Sequence, residues 1–186
     1  MKDERLFIRI MWTIAVIPLL VTLAVFTRLP DLIPMHWNIS GQIDAYYPKF
    51  PGAFLLPALG LVIVALMNIL PNVDPKKENY VKFRSQYLFI RLFLVAFFAV
   101  IQFVVIAISL GADFIRVDLI VKLLVGIMFI VIGNLMPKLK HNYFVGIKTP
   151  WTLANESVWL RSHRHGGFVW FATGIVLVCW RSYRAP

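Results

Sequence analysis

A chain of 186 residues that is 60% hydrophobic, with a mean hydropathy of +0.76, lies outside the range of soluble domains, which run about 45–50% apolar. Its formal net charge of +10 would suit a nucleic-acid partner if it formed one patch. The basic residues instead fall in the gaps between apolar runs, as cytoplasmic loops do under the positive-inside rule, so an integral membrane protein with no direct nucleic-acid partner is expected.

In chain order, the tail MKDERLFIR precedes an apolar run that is too long for a signal peptide and has no small-x-small cleavage site, which predicts an uncleaved first helix. A crossing needs about 20 apolar residues for a hydrocarbon core roughly 30 Å thick. Runs at 6–26, 54–70, 88–110 and 117–136 meet that requirement. A fifth, 166–180, is short: it must extend back into the preceding polar stretch, be locally mismatched, or lie partly in the interface. The fold class expected is all-α, a polytopic bundle of about five transmembrane helices plus a cytoplasmic amphipathic helix, in two regions, 1–110 and 111–186. Lys2, Arg5 and Arg9, then Lys76, Lys77, Lys82 and Arg84, then Lys138, Lys140, Lys148, Arg161 and Arg164 fall on one side, which places the N-terminus in the cytoplasm. Arg181 and Arg184 then end up outside, against the rule. The single cysteine, Cys179, excludes an internal disulfide and a thiolate metal cluster.

The first external loop, 27–51, contains Pro30, Pro34, Pro48 and Pro51, which deny it a continuous helix, and Ser40-Gly41 marks a turn. Trp37, Tyr46, Tyr47 and Phe50 suit the headgroup level. One reading is an ordered cap with an aromatic belt; the other is a ligand-receiving surface in which His36 and Asp44 face one another across the turn. Within the helices, Arg91 and Lys122 are near enough to an end to snorkel to the headgroups, while Asn68, Gln102 and Asn134 are placed to hydrogen-bond another helix. No run of acidic residues or inverted repeat points to a transport path.

The densest chemistry is in residues 133–167, GNLMPKLKHNYFVGIKTPWTLANESVWLRSHRHGG, which hold three of the four His and five of the nineteen Lys and Arg. Pro137 ends the fourth helix, and a basic, aromatic loop follows that suits anionic headgroups. Thr149 and Pro150 have the form of an N-cap and first helical position. Glu156, Trp159, Leu160 and His163 recur at spacings that put them on one helix face. That stripe has two readings: a surface helix with its Trp side toward lipid and Arg161 and Arg164 toward phosphates, or a carboxylate and an imidazole converging on a partner or metal. Glu156 and His163 stand two turns apart, with His36, His141 and His165 as further candidate ligands, and no H-E-x-x-H occurs.

The motif from Gly133 to Trp159, with the following His163-Arg164 and Gly166-Gly167, resembles the signature of the SdpI family, bacterial membrane proteins named for immunity to a secreted peptide toxin. The segment Ile33-Pro34-Met35-His36-Trp37-Asn38, with Gly41, Asp44 and Lys49, is similar to the domain of unknown function that often precedes that signature. The resemblance implies a bacterial cytoplasmic-membrane protein, commonly of six crossings, that protects the producing cell from a membrane-active peptide and can hold a small cytoplasmic repressor at the membrane. Its motif positions here are Asn134, Pro137, Asn142, Gly146, Thr149, Pro150, Trp151, Thr152, Glu156, Trp159 and His163, beside His36, Trp37 and Asp44 in the loop.

Two functions follow. The first is a binding protein without a cofactor, whose partners are a secreted peptide toxin, membrane lipids and a cytoplasmic repressor, with the external loop as receiver and the cytoplasmic stretch as transducer. The alternative is a zinc-dependent membrane hydrolase or peptidase using Glu156, His163, His36 and His141. The binding role is favoured over the enzymatic one.

Overall fold

The structure is a computed structural model that describes residues 2–38 and 41–180; Ile39 and Ser40 of the expected turn, and Arg181 and Arg184, lie outside them. The chain is built from helices: α1 Lys2–Val25, α2 Lys49–Val73, α3 Arg84–Ser109, α4 Val117–Leu135, the short α5 Pro150–Ala154 and α6 Glu156–Cys179, with one antiparallel hairpin of β1 Leu32–Trp37 and β2 Ile43–Pro48. Four of the helices are long and apolar enough to cross a membrane, so the chain is an all-α, multi-pass membrane bundle. Contacts gather it into two units made of discontinuous pieces, Met1–Met67 with Arg91–Val121, and Asn68–Ile90 with Lys122–Pro186.

In the first unit, the proline-rich loop is ordered as an antiparallel hairpin. Its ladder explains how it tolerates two prolines. Lys49 N–H donates to Asp31 O at 2.8 Å, which makes Ile33–Tyr47 the next hydrogen-bonded pair along the register. Leu32–Pro48 falls between these pairs and Pro34–Tyr46 just beyond the second, both at positions of the alternation where N–H groups point away from the partner strand, so neither proline removes a ladder bond. At the turn, Asn38 Oδ1 accepts from Gln42 N and Asn38 Nδ2 donates to Gln42 Oε1, while Gly41 takes φ +77°, which favours glycine. Ile33 packs inward on Leu29, Ala53 and Val105.

Below that core the helices are tied by an amide. Pro57 has no N–H to offer the carbonyl of Ala53 four residues earlier, and Gln102 Nε2 on α3 takes its place at 3.0 Å while also donating to Thr22 Oγ1 on α1 at 2.9 Å. Gln102 thus hydrogen-bonds other helices, as its position suggested. Arg91 does not snorkel: it is buried within α3.

In the second unit, α6 settles the fifth run. It is one unbroken helix of 24 residues, about 36 Å long, whose polar first half precedes the apolar run, so the run extends back as one of the three alternatives required. It lies antiparallel to α4 along a glycine seam. A Cβ on Gly133 would meet Gly167 O at 2.7 Å, and one on Gly174 would meet Gly126 O at 2.6 Å, so only hydrogen fits between the backbones. At the far end Lys122 Nζ donates to Trp180 O at 2.5 Å, capping the last turn of α6.

Candidate functional site

The motif loop between α4 and α5 has almost no regular structure, so its backbone polar groups need other partners. Side chains supply them. Asn142 is fully buried and uses its whole hydrogen-bonding capacity on its own loop: Nδ2 donates to Lys140 O at 2.8 Å and Val145 O at 2.9 Å, and Oδ1 accepts from Phe144 N at 2.9 Å and Val145 N at 2.7 Å. Thr149 caps α5 reciprocally with Thr152, whose hydroxyl reaches back to Ile147 O at 2.9 Å.

Helix α6 closes over this loop. Asn155 caps its start by accepting from Ser157 N and Val158 N. One turn on, the fully buried Trp159 donates its indole N–H to Leu139 O at 3.0 Å. His163, also fully buried, stacks on Trp159 with ring centroids 3.9 Å apart. Its Nε2 accepts from Ile147 N–H at 3.0 Å, which requires that nitrogen to be unprotonated and leaves Nδ1 to donate to Trp159 O at 2.8 Å. Burial pushes the His163 imidazole below the ordinary histidine value; the bond to Trp159 opposes this and neighbouring His141 adds to it. Gly146, with φ +123°, lies directly against His163 Nε2, where any Cβ would collide with the ring. His141 stacks on Tyr143 with ring centroids 6.4 Å apart and lies tilted against Trp159 at 5.2 Å, and its Nε2 is buried with no hydrogen-bond partner among the described residues.

The loop is clasped from its other side by residues that sequence reasoning passed over. Asp74, just past α2, is 2% exposed and accepts from Lys76 N, from Tyr80 OH and from Tyr143 N at 2.7, 2.9 and 2.9 Å. Asn79 Nδ2 donates to His141 O at 2.8 Å. The available signal was a lone carboxylate in Asp74-Pro75, a turn dipeptide at the end of an apolar helix among lysines.

Of the expected site residues, the structure brings together His141, Asn142, Thr149, Trp159 and His163 and leaves others outside. Glu156 and Leu160 are exposed while Trp159 and His163 are buried, so the four do not share one environment. Glu156 occupies the first turn of α6, where a carboxylate suits the positive helix end. The surface-helix reading is corrected in the same way: Trp159 faces the loop, and the outward indole is that of Trp151, 72% exposed. Asn134 and Pro150 are also exposed. In the hairpin, His36 Nδ1 meets Asp44 Oδ1 at 2.5 Å with both side chains open to the surroundings, and Trp37 is half-buried against the Leu29–Ile33 core. Neither ring nitrogen of His163 is free to bind a metal, and among the described residues no group of three or more His, Cys, Asp or Glu comes close enough to hold one.

The two units carry the two sequence signatures. Residues 13–61 match a domain of unknown function (DUF1648), and residues 138–181 match the SdpI/YfhL protein family. The chain is 30% identical over 161 residues to the immunity protein SdpI of Bacillus subtilis (strain 168), covering 86% of this chain and 71% of that protein. No solved structure matches. The chain therefore belongs to the SdpI family.

Proposed function

We propose that this protein is an immunity factor of the bacterial cytoplasmic membrane that protects its host against a secreted, membrane-active peptide. The observation that carries the reading is the likeness to an immunity protein across most of the chain. In this reading the N-terminus is cytoplasmic. The positive-inside rule supports that orientation, and five crossings return the 74–84 segment and the motif loop to the side of the N-terminal tail. The hairpin, with His36, Trp37 and Asp44, then faces outward as the receiver, and the clasp on the inner face transduces. A small repressor held at the membrane would read the exposed side of the clasp, around Tyr143.

The test is survival of toxin-sensitive bacteria expressing the chain when challenged with a secreted Sdp-type peptide. Wild type and His163→Ala are compared at matched membrane levels. Protection by wild type that falls at least tenfold in the variant supports immunity exercised through the clasp. Wild type that protects no better than an empty vector would sink the reading.

A further inference from the structure

The clasp accounts for the buried side of residues 133–167 and leaves their outer side unexplained. That side carries five Lys and Arg against a single acid, Glu156. Among the described residues, Lys148 Nζ and Arg161 Nε hydrogen-bond to backbone carbonyls of their own segments, Phe144 O and Ser157 O. Among these cations stands Trp151, and it is not on a loose loop. It sits on α5, which is pinned by the Thr149–Thr152 capping pair and by Thr152 to Ile147, and its indole is exposed.

The position of this surface along the membrane normal follows from α6. Its apolar half begins at Gly166, and at about 1.5 Å per residue Arg164 lies about 3 Å and Arg161 about 8 Å before that boundary. Cations at that height are level with lipid phosphates, and a Trp there sits where its ring is half apolar and half wet. We infer that the face formed by α5 and the first half of α6 docks on anionic phospholipid headgroups, with Trp151 as anchor and Lys148, Arg161 and Arg164 as the phosphate-facing charges. An acidic soluble protein would meet the same charges, but it would have to enter the headgroup layer to reach Arg164. The inference is independent of which toxin, if any, the protein resists.

The full-length protein is reconstituted in phosphatidylcholine vesicles with and without phosphatidylglycerol, using lipids brominated near the headgroup. The difference between wild type and Trp151→Phe isolates the Trp151 fluorescence. Expected is quenching of Trp151 by the brominated lipid, with a relative binding constant that favours phosphatidylglycerol. Arg161→Gln and Arg164→Gln should each lower that preference by about fivefold while leaving binding of phosphatidylcholine unchanged. Quenching that is indifferent to lipid charge overturns the inference. So does a Trp151 reached by aqueous acrylamide and not by brominated lipid, an outcome that would hand the surface to a soluble acidic partner.

Discussion

His163 shows how much of this site hangs on one proton. Its Nε2 can accept from Ile147 N–H only while unprotonated, and the ring lies in a buried stack with Trp159 and next to His141. The sign follows from linkage. In the unfolded chain the imidazole takes up a proton near its ordinary value of about 6.5, but in the folded protein burial delays this to lower pH. Stability is therefore full above that ordinary value and is lost progressively as the pH falls below it. Melting of the detergent-solubilised protein, followed by tryptophan fluorescence from pH 8 to 5, should show a midpoint that drops below pH 6.5, and His163→Gln should flatten the drop. A midpoint independent of pH in the wild type would contradict this account. Asp74 and Asn79 were not legible beforehand, because each owes its role to a partner distant in sequence: Asp74 meets Tyr143 and Asn79 meets His141. Spacing reveals neighbours on one helix and is silent about pairs joined by the fold. The Glu156 and His163 stripe fails for the related reason that shared periodicity does not mean shared burial.

Among the elements, the helices with long apolar runs were readable in place, because the bilayer demands about 20 such residues whatever they pack against. The hairpin was hidden by its prolines, which normally argue against a strand and here occupy the non-bonded positions of the ladder. The polar start of α6 disguised its length, since no hydropathy window sees a helix whose first half carries Arg161, Arg164 and three further ionisable groups. A sharper test of the helix packing lies at Pro57. If Gln102 replaces the N–H that Pro57 lacks, then Gln102→Leu should cost about 1–2 kcal/mol by stranding the Ala53 carbonyl. In a Pro57→Ala background the helix supplies that donor itself and the cost should shrink. A double-mutant cycle on unfolding in mixed micelles should return a coupling of about 1 kcal/mol, and additive effects would refute the substitution of one donor for the other.

For the molecule as a whole, the proposed topology of five crossings with a cytoplasmic N-terminus predicts opposite accessibility for the two ends of α6. Cys179, the single cysteine, is exposed in the last turn, at the end away from the motif loop. A membrane-impermeant maleimide should label it in intact cells, whereas Lys77→Cys in a Cys179→Ser background should react only after permeabilisation; the reverse pattern would invert the topology. The clasp also sets a limit on transplanting this motif. A peptide of residues 133–167 carries the buried loop and His163, yet the carboxylate that receives Tyr143 N–H and the amide that satisfies His141 O come from Asp74 and Asn79, more than sixty residues before those partners. The signature is therefore not a portable cassette. Any graft, chimera or minimal fragment intended to reproduce its shape must also import the short segment from Asp74 to Tyr80, which lies upstream of the 138–181 match to the SdpI/YfhL family.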